Sequence, residues 1–230
     1  MQLNNLVSCD LKRIVAIETS DNETTLFLRD KAGNCESKTQ AFTPFLFLTK
    51  PELLDNFDKE FELVELKGDA PIACLANFES ITDYLDAVKL LKSQNAAQGM
   101  SYRLVSDLIQ QAMMSQKIRL FRDMHFNELR RMQFDIETLT TGGFEFPNAN
   151  RREDKIIIIT MSDNTGWEKV ISLDNMDEKE LLEEFVKTVT ERDPDVLEGH
   201  NIFRFDLPYI ETRARLNKVK LTLGREGRLF

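Results

Sequence analysis

Asp135-Ile136-Glu137 is the segment of this sequence best suited to chemistry. On a strand, residues two apart project to the same side, so the two carboxylates would stand side by side. Like charges that close resist joint ionisation unless a counter-charge is supplied. A divalent cation supplies one, and a site built of carboxylate oxygens suits one or two magnesium or manganese ions. An Asp-x-Glu pair taken alone fits the solvated face of an ordinary strand as well. A second group, Gly199-His200-Asn201-Ile202-Phe203-Arg204-Phe205-Asp206, places Asn201 and Asp206 just after a short apolar segment. Open α/β sheets gather ligand groups at such strand ends. Asp206 is equally placed to cap a helix, Asn201 to serve a turn and Phe205 to fill a core.

The elements around these residues must position them. Residues 131–137 (RMQFDIE) alternate, with Met132, Phe134 and Ile136 on one face and Gln133, Asp135 and Glu137 on the other. Residues 140–150 (TTGGFEFPNAN) are a Gly/Pro/Asn-rich loop. Residues 155–162 and 167–173 read as strands joined by a turn at 163–166. Asp177 with Glu180 forms a capping box, and Leu181, Leu182, Phe185, Val186 and Val189 give the following helix one apolar stripe. Asp193-Pro194 ends that helix. Residues 195–198 are a short buried strand, and a helix starts at Leu207 with Pro208 in its first turn. The order β-β-β-α-β-α resembles the opening of a ribonuclease-H-like sheet.

Upstream, residues 12–19, 24–29, 35–42 and 43–49 read as four strands of an antiparallel meander, and residues 61–66 as a further strand. Ile81, Leu85, Val88 and Leu91 recur at helical spacing behind a Ser80/Asp83 cap. Residues 93–99 read as a loop and residues 101–115 carry a helical signal. The expected fold class is mixed α/β (α+β), a mostly β first domain over residues 1–130 followed by a ribonuclease-H-like domain over 131–230.

Thirty basic and 39 acidic residues give a net charge of −9, and 42% of the chain is hydrophobic. This composition excludes disorder and excludes a nucleic-acid binder that works through a global positive field. It leaves open a local metal-centred contact. Cys9, Cys35 and Cys74 have no CxxC spacing, which points to a reducing compartment and no zinc site. Neither a membrane-length apolar run nor a signal-peptide layout is present, so the expected location is cytoplasmic. Arg213, Arg215, Lys218, Lys220, Arg225 and Arg228 make the tail basic. They suit either phosphate contacts or a solvated helix face.

Together FDIETL and GHNIFRFDLPYI resemble the first and second motifs of the proofreading 3′–5′ exonuclease domain of family B DNA polymerases, which is DnaQ-like. The flanking Asp193-Pro194-Asp195-Val196 and the segments FRDMHFNELRR and LGREG share the likeness, which at motif level covers residues 120–230. For residues 1–119 the likeness is one of layout, to the N-terminal domain of that family. The resemblance implies a two-metal magnesium or manganese site. In it Asp135 bridges the ions, Glu137 binds the ion that activates water, and Asp206 holds a metal-bound water. It implies that Asn201, Phe205, Thr138 and Leu139 bind the frayed 3′ end of DNA.

The family's fourth carboxylate comes from a later Tyr-x-x-x-Asp, and no Asp follows Asp206 in this sequence. The expectation is therefore a truncated piece of a longer DNA-directed polymerase, with partners that include primer-template DNA. Deoxynucleoside triphosphates would bind only to a polymerase domain missing from this chain. By this reading the isolated chain is inactive. Two other readings fit less of the sequence: a non-catalytic nucleic-acid-binding module, and a stand-alone DEDD-type exonuclease.

Overall fold

The computed structural model describes residues 11–20, 22–68, 71–94 and 101–225. The loop expected over residues 93–99 lies outside them from Asn95 onward, as do Cys9, Arg228 and the end of the LGREG segment. The chain divides into two compact units, Met1–Met124 and His125–Phe230. Residues 125–130 go with the second unit. The Arg131 guanidinium lies 4.2 Å from the Phe126 ring centroid, and the Arg130 N–H donates to Asp195.

In the first unit β1 (Ile14–Ser20), β2 (Glu23–Arg29) and β3 (Cys35–Ala41) form an antiparallel sheet in the order β1-β2-β3. Its core side carries Ile14, Ile17, Leu26 and Leu28 against Ala112 of helix α2 (Leu108–Ser115). The fourth segment does not extend this meander. As β4 (Phe45–Leu48) it joins a second sheet, ordered β5-β6-β4-β7, with β5 (Phe61–Glu65), β6 (Cys74–Phe78) and β7 (Tyr102–Arg103). Pro44 has no N–H for a ladder, and the Phe45 N–H is taken by the Gln111 side chain at 2.8 Å, so the chain leaves the first sheet there. Helix α1 (Ile81–Ser93) covers this sheet with Tyr84, Ala87, Val88 and Leu91, and Ser80 caps it by accepting from the Asp83 N–H at 3.0 Å. The helical signal over residues 101–115 holds only from Leu108. Asp107 accepts from the Ile109 N–H and starts α2 late, and Tyr102–Arg103 is strand.

In the second unit β8 (Arg131–Thr138), β9 (Ile156–Asp163) and β10 (Glu168–Ser172) run antiparallel. After helix α3 (Glu178–Arg192), strand β11 (Val196–Glu198) returns parallel to β8, giving the order β10-β9-β8-β11. Helix α4 (Asp206–Asn217) follows. The capping box is present, Asp177 accepting from the Glu180 N–H at 2.9 Å and Glu180 from the Asp177 N–H at 2.8 Å. Asp193 closes α3 in the left-handed region at φ 44°. The core packs Phe134 and Ile136 of β8 and Ile159 of β9 against Leu181 and Phe185 of α3 and Ile210 of α4. The Phe134 and Phe185 rings sit 5.3 Å apart, and such a pair contributes about 1 kcal/mol beyond its burial.

Candidate active site

Strand alternation sorts β8 as its residue types require. Met132, Phe134 and Ile136 are buried, whereas Gln133, Asp135 and Glu137 are exposed on the open face. Strand β11 pairs only with Arg131, Met132 and Gln133, so from Phe134 onward that side of β8 has no strand partner. The chain leaves β11 through Gly199, where a Cβ would lie 2.6 Å from the Phe134 carbonyl oxygen and 2.3 Å from Ile202 Cγ2. Only glycine permits that approach. Asn201 turns the loop at φ 58°, its carbonyl accepting from the Arg204 and Phe205 N–H groups at 2.9 and 3.1 Å.

The loop delivers Asp206 to the vacated edge. Its side chain is 2% exposed, and Oδ1 accepts the Ile136 N–H at 3.3 Å. Ile136 lies between Asp135 and Glu137 in sequence, so the third acid is tied to the strand that carries the first two. Asp206 does not cap its helix: Phe205 holds the N-cap position and Asp206 is the first helical residue. Burial pushes the Asp206 carboxyl up. Its own and the Ile136 N–H groups oppose this, the Asp135 charge adds to it, and His200 opposes it.

Among the described residues no three His, Cys, Asp or Glu side chains converge closely enough to hold an ion. Asp135 and Glu137 face outward while Asp206 is held to the strand edge. In type these donors suit a hard divalent cation, being carboxylates, and the Asp135 charge reaches Asp206; to share one ion the side chains would have to turn toward one another.

Of the 3′-end residues expected from sequence, Phe205 packs against Tyr209, while Asn201 lies in the loop before it and Thr138 and Leu139 at the end of β8. The Phe205 ring, 37% exposed, lies 5.4 Å from the Tyr209 ring. Thr138 ends β8, and the Tyr209 hydroxyl donates to the Asp154 carbonyl at 2.8 Å. Leu139 is half exposed, its N–H bound to the Lys155 carbonyl at 2.8 Å. Asn201 is exposed in the same loop as Phe205.

Two buried polar centres beneath the site escape the sequence reading. The Asp154 carboxylate accepts from the Thr141 N–H at 2.8 Å, the Asn148 N–H at 2.7 Å, Arg151 Nε at 2.8 Å and the Thr141 hydroxyl, closing the loop of residues 140–150. Burial alone would raise its carboxyl, but these donors outweigh that and hold it well below the usual range. Glu178 accepts from the Ile156 N–H at 2.9 Å, Asn217 Nδ2 at 2.9 Å and the Arg213 guanidinium, with Nε at 2.7 Å. In sequence both sit among ordinary surface charges. The signals in sequence are an Asp inside the charged run Arg151–Lys155 ahead of an apolar strand, and an Arg on the apolar side of α4.

Arg213 is thus buried, and Arg225 pairs with Asp193 at 2.6 Å and Asp195 at 2.9 Å. These two tail cations serve the fold rather than a phosphate surface. No helix among the described residues is long and apolar enough to cross a membrane.

Comparison with known proteins places the chain in a family. The family described as "DNA polymerase family B, exonuclease domain" matches residues 102–229. The chain is 40% identical over 109 residues to a DNA polymerase of Thermococcus gorgonarius, and 39% identical over 109 residues to one of Desulfurococcus sp. (strain Tok). Each match covers 44% of this chain and 13% of the relative. A DNA polymerase of Archaeoglobus fulgidus is 33% identical over 112 residues, 49% of this chain and 13% of the relative. The chain therefore spans about an eighth of the length of these relatives. The structure of the family B DNA polymerase from the hyperthermophilic archaeon Pyrobaculum calidifontis superposes with a TM-score of 0.69 at 20% identity. The match covers 93% of this chain and 33% of that one, a likeness of fold. Exonuclease domains of this family are in general dependent on divalent metal, and family B polymerases bind DNA. With more than half of its residues in that match, the chain belongs to the exonuclease-domain family of the family B DNA polymerases.

Proposed function

We propose that residues 125–230 are part of a 3′–5′ proofreading exonuclease within a DNA-directed DNA polymerase, and that residues 1–124 are its N-terminal domain. The observation that carries this reading is the hydrogen bond from the Ile136 N–H to Asp206, which ties a third carboxylate to the strand that bears Asp135 and Glu137. Asp135, Glu137 and Asp206 would hold magnesium or manganese. Such an ion, when bound, offsets charge on a phosphodiester and lowers the pKa of water.

The chain's own residues prepare the strand for that chemistry. Phe205, backed by Tyr209, offers an aromatic face on which any base can stack, as proofreading without sequence preference requires. Asn201, exposed at the tip of its turn, supplies an amide for the terminal sugar or base. Leu139 adds exposed apolar surface, and Thr138 stands at the end of β8. The buried Phe134 and Ile136 hold the carboxylates on a rigid strand rather than on a loop.

The test is metal binding by this chain, followed through the spectrum of bound Mn²⁺. Wild type is expected to bind, and to bind more tightly once a single-stranded oligonucleotide is added. Asp135→Ala and Glu137→Ala should each weaken binding at least about tenfold, as loss of an orienting or ligating group does at metal sites. Equal binding by wild type and both variants would overturn the proposal.

A further inference from the structure

We infer that a basic cleft beside the end of β8 binds the sugar-phosphate backbone of the single strand whose 3′ end enters the site. This rests on the exonuclease reading and adds a strand-tracking surface to it. The cleft has a volume of about 520 Å³, with Arg152, Lys155 and Lys179 among its lining residues and Glu178, Arg213 and Asn217 forming its floor.

Its charge is positive in a chain of net charge −9. The floor is neutral, because the Glu178 carboxylate is fully engaged by Arg213, Asn217 and the Ile156 N–H. Asp177 is occupied in capping α3. Arg152 and Lys155 make no side-chain hydrogen bond or ion pair among the described residues. Lys179 has only an exposed pair with Glu183 at 3.2 Å, which is worth little.

The cations are also held in place. Arg213 donates to the carbonyls of Ala149 at 3.1 Å and Arg151 at 2.8 Å, so the main chain that carries Arg152 is clamped from below. Lys155 sits directly beside the site, since its carbonyl accepts the Leu139 N–H at 2.8 Å. The end of β8 is thus joined directly to the segment that carries Lys155 and Arg152. Unpartnered cations on a segment joined to the site strand match a flexible polyanion, read through phosphates and without regard to base.

The experiment measures binding of a fluorescein-labelled oligothymidylate by anisotropy, in EDTA, over a range of salt. Each phosphate contact to a single strand contributes about 0.7 to the slope of log K against log salt. Arg152→Ala/Lys155→Ala should lower that slope by about 1.4 and weaken binding roughly tenfold at moderate salt. Arg152→Lys should keep both. Circular dichroism confirms folding, which substitution of these two side chains leaves intact. An unchanged slope in the double variant overturns the proposal. So does competition by inorganic phosphate as effective as that by the oligonucleotide, which would mark a single-anion site. Anisotropy is read without metal, so it does not depend on ion binding by the carboxylates. Failure of the exonuclease reading would thus show in Mn²⁺ binding, and failure of the cleft in the salt slope.

Discussion

The Asp206 carboxylate and the Ile136 amide meet across the gap left where β11 stops, in a hydrogen bond of 3.3 Å. A side chain there does the work of a missing strand. The arrangement carries an electrostatic cost, since burial raises the Asp206 carboxyl and Asp135 stands near it. A carboxyl raised by folding contributes its full stability below the ordinary value of 3.8 and loses it as pH rises through the folded value. Asp206→Asn should therefore melt higher than wild type at pH 7, with the difference closing in acid. Thermal melts at both pH values check this, and a variant that melts lower at pH 7 contradicts it.

Gly199 makes a second prediction. An added methyl would meet the Phe134 carbonyl at 2.6 Å, and neither backbone can yield without moving the site strand. Gly199→Ala should cost about 1–3 kcal/mol in urea unfolding, the range for overpacking. Mn²⁺ binding should fall with it, because Asp206 is delivered by the same loop. A neutral substitution would show that the loop relaxes freely.

Arg213→Ala should be the most damaging of the substitutions considered. It leaves Glu178 buried without its cation, a loss of about 3–5 kcal/mol for a pair broken on one side. Replacing both residues by apolar ones of similar volume should recover much of that. Denaturant titration of the single and double variants separates a broken pair from lost packing.

Asp154 gives the opposite pH dependence to Asp206. Its carboxyl is held low by donors from Thr141, Asn148 and Arg151, against burial. A depressed carboxyl stabilises above the unfolded value and loses that contribution as pH falls toward the folded one. Asp154→Asn should lower the melting temperature at pH 7, by a margin that shrinks below about pH 4. Protease nicking within residues 140–150 should accelerate in the variant at neutral pH. Equal nicking would mean that the loop is closed by something else.

Much of the second unit is legible in its residues. RMQFDIE alternates, so the strand, its buried face and the outward carboxylates follow from period alone. The Asp177/Glu180 box and the Asp193-Pro194 stop bracket α3 by local hydrogen bonding, which a sequence displays directly. What sequence hides is non-local. The destination of β4 depends on Gln111, 66 residues away, taking the Phe45 N–H. Strand β6 goes unread because Ala76 and Asn77 have poor strand propensity, and its neighbours supply the pairing. Asp206 sits at a helix start like any cap, and only the early end of β11 turns it toward β8. Arg213 looks like one of several tail cations until Glu178 is seen beneath it.

The closure of residues 140–150 on one buried aspartate has a consequence for how this region tolerates change. Both ends of the loop are pinned at Asp154, directly and through Arg151, so the tip hangs from a fixed base as an exchangeable cassette. Lengthening it between Gly143 and Phe146 should cost only the entropy of a larger closed ring, about 0.6 kcal/mol per doubling. A graft that kept Thr141, Asn148, Arg151 and Asp154 would alter what the domain touches without disturbing the strand that holds its acids.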